Sequence, residues 1–456
     1  MKNVYDYIEK NLDRYIEELT PLLKQKSISE THDGIDECAE LVGAMLRENG
    51  IPAKVYQTSG NPIVFGEVKH DDNAPTVLIY GHYDVMPVEP LDQWRTEPFT
   101  PTIIDGKLYC RGASDDKGQS FTYIKGYEAY REIMGGVPVN VKFIFDGEEE
   151  IGSPSLLPFV QEHKEMLRAD VLLSSDSKIH DSGRPIIFLG LKGMCSVDIE
   201  ISCSAKDLHS MYASVAPSPV WRMIGLLNTL KGEDGFVRIE GFYDNAREPS
   251  ALELEAVAKI PVNEQNILDN LGLKKLLRNR KTDDYYYNNM FEPTCNIGYF
   301  GAGHEHGVKD IVPSKAAVRL DMNLVPNQRP DEILEKLRRH LDKHGYADVA
   351  IKPFSQMVPY KTPVDDPYVP FVAECVEAVW GKEPVILPSI GGFGPNFVFT
   401  ETLGMPNIYL PMAALDNSNH APNESLVLSG FLNGVKVFAT ILDRLARMER
   451  APGAPR

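Results

Sequence analysis

The sequence predicts an α/β protein, with a mixed or parallel sheet between helices and a smaller inserted α+β unit. Short runs rich in β-branched and aromatic residues alternate with helical periodicities over roughly the first 190 residues. From about Leu191 the order becomes strand, helix, two strands, helix, strand. At 456 residues the chain is also too long for one simple core, so two domains are expected.

Residues 4–24 carry apolar side chains at helical spacing (Ile8, Leu12, Ile16, Leu19, Leu23), and 35–49 repeat the pattern up to Gly50, a helix stop. Strands follow at 53–57 and 63–68. The stretch Thr76-Val-Leu-Ile-Tyr-Gly-His-Tyr-Asp84 reads as a buried strand that leaves the sheet at Gly81. A helix over about 118–132, a strand at 139–145, a helix near 155–163 and a strand at 170–173 continue the alternation, and a last strand is expected at 407–410. In the insert, strands are expected at 194–202, 294–299, 316–324 and 349–354. Its helices are expected at 217–230, where a proline falls in the first turn, and at 330–344. Residues 231–292 read as helical, charged and irregular.

Composition excludes several function classes. Lys and Arg number 47 against 65 Asp and Glu, a formal charge of -18, and no basic cluster stands out. Nucleic acid and anionic membrane surfaces are therefore excluded as partners. No apolar run approaches the ~20 residues needed to span a bilayer. Six cysteines without a C-x-x-C pair read as reduced thiols, which points to a cytoplasmic home.

The chemistry gathers in loops after the strands, where open α/β sheets collect ligand groups. His82 and Asp84 stand at i and i+2, so an extended backbone turns both side chains the same way. A metal-bound imidazole needs such a partner, since a carboxylate on the second ring nitrogen fixes tautomer and orientation. Further loops carry Asp115-Asp116, the run Glu148-Glu149-Glu150, Asp176, and His420. Singly, each reads as a solvated acidic turn, a helix N-terminus or a structural histidine. Together they offer two imidazoles and several carboxylates, a ligand set for two divalent ions that suits Zn²⁺, Mn²⁺ or Co²⁺.

The motifs Gly-His82-x-Asp84, Gly-Ala-Ser-Asp115-Asp-Lys-Gly, Glu149-Glu150-x-Gly-Ser, Ser-Asp176 and His420 resemble, in order and over nearly the whole chain, the M20 family of di-zinc metallopeptidases. Lys206-Asp-Leu-His209-Ser, the stretch 293–303, and Ile311-Val-Pro-Ser with Leu324-Val-Pro-Asn327 narrow the likeness to its carnosinase-type cytosolic dipeptidases. The resemblance implies a zinc-peptidase-like catalytic domain over 1–190 and 360–456, interrupted by a lid and dimerisation domain over 191–359. It implies two divalent ions per subunit, first of all Zn²⁺, bridged by Asp115. His82 and Asp176 would complete one site, and Glu150 and His420 the other. Asp84 would hold the ring of His82, and Glu149 would be the general base in attack by a metal-bound hydroxide. Glu148 is left as a hydrogen-bonding or solvated spare.

The implied reaction is amide hydrolysis in dipeptides or short peptides. The alternative is an N-acyl-amino-acid deacylase, such as a desuccinylase or deacetylase, and an intact ligand set and base disfavour a non-catalytic binding protein. In relatives a homodimer forms through the lid, and the residue matching His209 reaches the partner's active site; read locally, His209 is a capping residue in a polar loop. Gly391, Gly392 and Asn323 match substrate-binding positions, with Asn323 standing where many relatives carry an arginine that grips a carboxylate. The resemblance also implies a cis peptide between Asp115 and Asp116.

Overall fold

The computed structural model describes residues 1–177, 179–277, 284–303, 310–411 and 418–448, and the side chains of Asp176 and Ser177 lie outside that description. An eight-stranded sheet runs, in spatial order, Ala53–Tyr56, Ile63–Val68, Asn140–Asp146, Thr76–His82, Val171–Ser177, Asn407–Pro411, Ile186–Phe188 and Val385–Leu387. Its four central strands are mutually parallel, and antiparallel strands flank them, so the sheet is mixed. The strand Asn140–Asp146 is buried along its whole length, as its run of Val, Phe and Ile requires of a strand covered on both faces.

Helices cover both faces. On one, Lys117–Met134 and Leu428–Leu445 pack together, with Phe121 stacked on Phe431 and Tyr123 edge-on to Phe438 at 5.0 Å. The N-terminal helices Lys2–Lys10 and Leu12–Lys24 lie against this pair. They form two helices rather than one periodic stretch because the backbone breaks at Asn11 (φ -104°, ψ 11°). On the other face, Leu156–Glu162 and Phe397–Leu403 close a second cluster around Leu78, Tyr80 and Phe399.

A separate antiparallel sheet, ordered Thr294–Ala302, Lys315–Leu324, Gly193–Ser202 and Ala350–Met357, packs one face on helices Pro219–Leu230 and Pro330–Lys343. Alternation is clean along Lys315–Leu324, where Ala316, Val318, Leu320 and Met322 are buried. The two chain segments that join the sheets run side by side, Gly190 opposite Lys361 and Leu191 opposite Tyr360. Among the described residues, no helix is long and apolar enough to cross a membrane.

The approach of the two long helices depends on Gly126. A Cβ there would lie 2.8 Å from the Val435 carbonyl oxygen and 3.0 Å from the Phe438 Cβ. Gly126→Ala should therefore lower stability by about 1–3 kcal/mol, although alanine favours an isolated helix by about 1 kcal/mol. Denaturant unfolding decides between them; unchanged or raised stability would contradict the close packing.

Candidate metal centre

The strand Thr76–His82 delivers His82 to the carboxyl edge of the sheet, and the parallel register sets His82 directly opposite Asp146. The loop carrying Glu148, Glu149 and Glu150 therefore starts beside the imidazole. Gly81 is required here: a Cβ would fall 1.9 Å from Ser120 Oγ, in the helix that follows Asp116. Asp84, wholly buried, acts on three residues at once. His82 Nδ1 is 3.1 Å from its carbonyl oxygen and 3.3 Å from its Oδ1. Its Oδ1 and Oδ2 accept the backbone N–H groups of Glu149 and Glu150 at 3.1 and 3.0 Å. Asp84 thus orients the ring through its carbonyl and carboxylate together, and its carboxylate fixes the backbone of both glutamates.

Asp115 lies between the strand Lys107–Tyr109 and the helix Lys117–Met134, and its peptide bond to Asp116 is cis. Its oxygens face different imidazoles, Oδ1 at 3.1 Å from His82 Nε2 and Oδ2 at 3.0 Å from His420 Nε2. His420 Nε2 is also 3.1 Å from Glu150 Oε2. Ligand atoms of His82, Asp115 and Glu150 all lie within 4.8 Å of one another, a group able to hold a metal ion. The donor set is the mixed imidazole and carboxylate kind that Zn²⁺ and its neighbours accept.

The cluster draws positive charge strongly. Burial opposes a charged ring at His82, but hydrogen bonds to Asp115 and Asp84 outweigh it and lift the pKa well above the usual histidine range. Hydrogen bonds to Asp115 and Glu150 raise His420 to about 10. Burial alone would raise the Asp115 carboxyl, yet the bonds from His420 and His82 hold it well below the ordinary range. The acids behind the cluster move the other way. Burial pushes Asp116 up to about 6, and burial with the nearby Asp84 pushes Asp146 up to about 7.

The cluster thus brings together His82, Asp84, Asp115, Glu150 and His420. Glu149 lines a cavity of about 140 Å³ beside it, with His82, Phe188, Leu191, Ile390, Gly392 and Tyr409 among its walls. Gly394 passes over the carboxylate, its Cβ position 3.8 Å from Glu149 Oε1. Asp176 is the penultimate residue of the strand Val171–Ser177, but its side chain lies outside the described residues. Its neighbour Ser175 donates to Asp116 Oδ2 at 2.6 Å, which ties that strand end to the Asp115 loop.

Of the remaining expected residues, Gly392 lines the same cavity as Glu149 and His82, while Gly391, Asn323 and His209 make other contacts. Gly391 packs against the Asn289 side-chain amide, whose Oδ1 would lie 2.6 Å from a Cβ there. Gly392 accepts the Lys192 N–H at 2.8 Å. Asn323 lies on the second sheet, opposite Met194 and Thr294. His209 is exposed, and its Nδ1 accepts the Met211 N–H at 3.1 Å, the capping role that its loop position allowed.

Asp116 and Glu424 support the site in ways the sequence did not show, and of the two roles left open for Glu148 the structure has the hydrogen-bonding one. Asp116 accepts from Ser120, Ser175 and the His82 N–H. Glu424 holds the Asp115 loop. Glu148 is only 2% exposed and far from solvated, accepting the backbone N–H groups of Asn61 and Ser155, both at 2.8 Å. The sequence signal for Asp116 and Glu424 was proximity to a candidate ligand, which does not reveal a hydrogen-bond partner distant in the chain.

A family model described as peptidase family M20/M25/M40 matches residues 78–444. The Cys-Gly metallodipeptidase of Schizosaccharomyces pombe is 27% identical, covering 98% of this chain and 98% of its own. The Beta-Ala-His dipeptidase of Rattus norvegicus is 26% identical, over 86% of this chain and 82% of its own. Among solved structures, the M20 family metallo-carboxypeptidase Sso-CP2 from Sulfolobus solfataricus superposes with a TM-score of 0.89 at 33% identity, covering 95% of this chain and 99% of that one.

The three adjacent glutamates should separate by phenotype. Glu148→Gln turns an amide donor toward a backbone N–H and should cost about 1–3 kcal/mol of stability, with metal content unchanged. Glu150→Gln should leave the fold intact and lower metal content. Urea unfolding and elemental analysis of both variants check this; the reverse pattern would misassign the pair.

Proposed function

The chain belongs to peptidase family M20/M25/M40 and is a metal-dependent hydrolase, and on that premise we propose that it cleaves the amide bond of dipeptides or short peptides with a free amino terminus. The observation that carries this reading is Asp115, whose two oxygens each face a different imidazole while Glu149 stands at the adjoining cavity. Asp115 would be shared by two divalent cations, Zn²⁺ first of all by the family likeness, with Mn²⁺ and Co²⁺ also suited to this ligand set. His82 with Asp176, and Glu150 with His420, would complete the two sets. When bound, the cations supply Lewis acidity toward the scissile carbonyl and toward water.

Glu149 accepts the proton of the attacking water and passes it to the leaving amine. Asp84 keeps the Glu149 backbone and the His82 ring still during that transfer. Phe188, Leu191, Ile390 and Tyr409 give the cavity apolar walls, suited to an uncharged side chain. Gly391, Gly392 and Asn323 would receive the substrate's terminal carboxylate. Asn323 offers a neutral donor there, without the charge or fork of an arginine.

Residues 1–190 and 360–456 would form the catalytic domain and 191–359 a lid through which two copies pair. His209 would complete the neighbour's site, and the exposed Met211, Tyr212, Val215 and Trp221 beside it support such a contact. The six unpaired cysteines support a cytoplasmic location. A second reading, removal of C-terminal residues from longer peptides, is favoured by the 33% identity to a metallo-carboxypeptidase.

A substrate panel separates these readings. Free dipeptides should turn over best; efficient trimming of N-blocked peptides would favour the carboxypeptidase, and exclusive cleavage of N-acyl amino acids a deacylase. Glu149→Gln should reduce turnover by about 10²–10⁴-fold with unchanged metal content, and retained turnover would remove Glu149 as the base. Mixing inactive His209→Ala with inactive Glu149→Gln subunits should restore part of the activity through hybrid dimers. A dead mixture with proven subunit exchange would remove the cross-subunit role.

A further inference from the structure

Glu424 follows His420 by four residues and is wholly buried, and its carboxylate is spent on the backbone of another loop. Its Oε1 accepts the N–H groups of Ser114 and Asp115 at 2.8 and 2.9 Å, and lies 3.3 Å from Ser114 Oγ. Its Oε2 accepts the Gly112 N–H at 3.0 Å and Arg111 Nη1 at 2.9 Å. The Glu424 carbonyl oxygen takes the Cys110 N–H at 3.2 Å. That bond extends the pairing of Ser425–Val427 with Lys107–Tyr109, in which Ser425 faces Tyr109. A further link joins Ser114 Oγ to Asn419 Oδ1 at 2.7 Å.

The two loops are therefore joined on both sides of Asp115. In front, its carboxylate meets His420; behind, its N–H is seated on Glu424, from the same segment as His420. Successive N–H groups curled around one anion form a concave seat whose geometry the anion fixes. Without it three buried donors would lack an acceptor, and the loop would have to move to satisfy them.

We propose that Glu424 is a positioning residue for the metal centre: by seating Gly112, Ser114 and Asp115 on one carboxylate, it sets how Asp115 and His420 converge and thereby sets cation affinity. This rests on the reading of the cluster as a metal site. Removing outer partners of metal ligands weakens binding elsewhere by about 10–100-fold.

The test is titration of the chelator-stripped full-length protein with Zn²⁺ and with Mn²⁺, in competition with a chromophoric chelator. Glu424→Gln keeps shape and one acceptor, but its amide NH₂ must face a donor. It should bind about 10–100-fold more weakly, with kcat largely recovered at saturating metal and KM unchanged. A purely structural role would instead lower the Tm of the stripped protein and leave the affinity of the folded protein as in the wild type; that result overturns the proposal. Should Glu424→Gln fail to fold, Ser114→Ala keeps every backbone donor and removes the hydroxyl joining Asn419 to Glu424. It should weaken binding in the same direction, and wild-type affinity there would equally overturn the proposal. A wild-type protein that binds neither ion would overturn the metal-site reading itself.

Discussion

One wholly buried carboxylate, Asp84, holds the site together. Its Oδ1 and its backbone carbonyl both face His82 Nδ1, and its carboxylate oxygens accept the Glu149 and Glu150 N–H groups, so the positions of the imidazole and of both glutamates are coupled. Such a group must itself be held in place. The backbone around it is pinned on both sides, by Tyr83 N–H to the Asp146 carbonyl at 2.8 Å and Val85 N–H to the Ser27 carbonyl at 2.8 Å. Ser27 Oγ closes the same turn on the Tyr83 carbonyl at 2.6 Å. The segment after the N-terminal helices is thus part of the site's frame, though it contributes no ligand.

Charge is the second constraint. Asp84, Asp115, Asp116, Asp146, Glu148 and Glu424 are all buried within this region. Arg111 is committed to Glu424, and Lys117 Nζ to the carbonyls of Leu22 and Gln25. Among the described residues, that leaves the imidazoles as the positive groups facing Asp115 and Glu150. Burial is the main cause that raises the Asp116 and Asp146 carboxyls, and the neighbouring acids Asp115 and Asp84 add to it. Divalent cations between His82, Asp115, Glu150 and His420 would answer that excess at its centre.

Much of the fold was legible because the strands are apolar runs bounded by turn residues. Residues 63–68 form the strand read from the sequence, 140–146 is displaced by one residue at each end, and 315–324 begins one residue earlier. Thr76–His82 runs two residues beyond its apolar run because pairing with Asn140–Asp146 carries the ladder through Gly81 to His82. The clustering of His82, Asp115, Glu150 and His420 was legible because imidazole and carboxylate chemistry narrows the candidates, and the cis Asp115–Asp116 bond follows the family likeness. The acceptors behind them were not. Glu148 reaches Asn61 and Glu424 reaches Gly112, contacts between residues far apart in the chain that only the folded backbone reveals. For His209 the sequence allowed both a cap and a cross-subunit role, and a single chain shows the cap.

The central claim is that Asp115 joins two cation sites. Anomalous diffraction from crystals of the Zn²⁺-loaded protein tests it directly. The account expects two peaks per subunit, one on the His82 side of Asp115 and one on the side of Glu150 and His420. A single peak, or peaks that leave Asp115 without a metal contact, would contradict it.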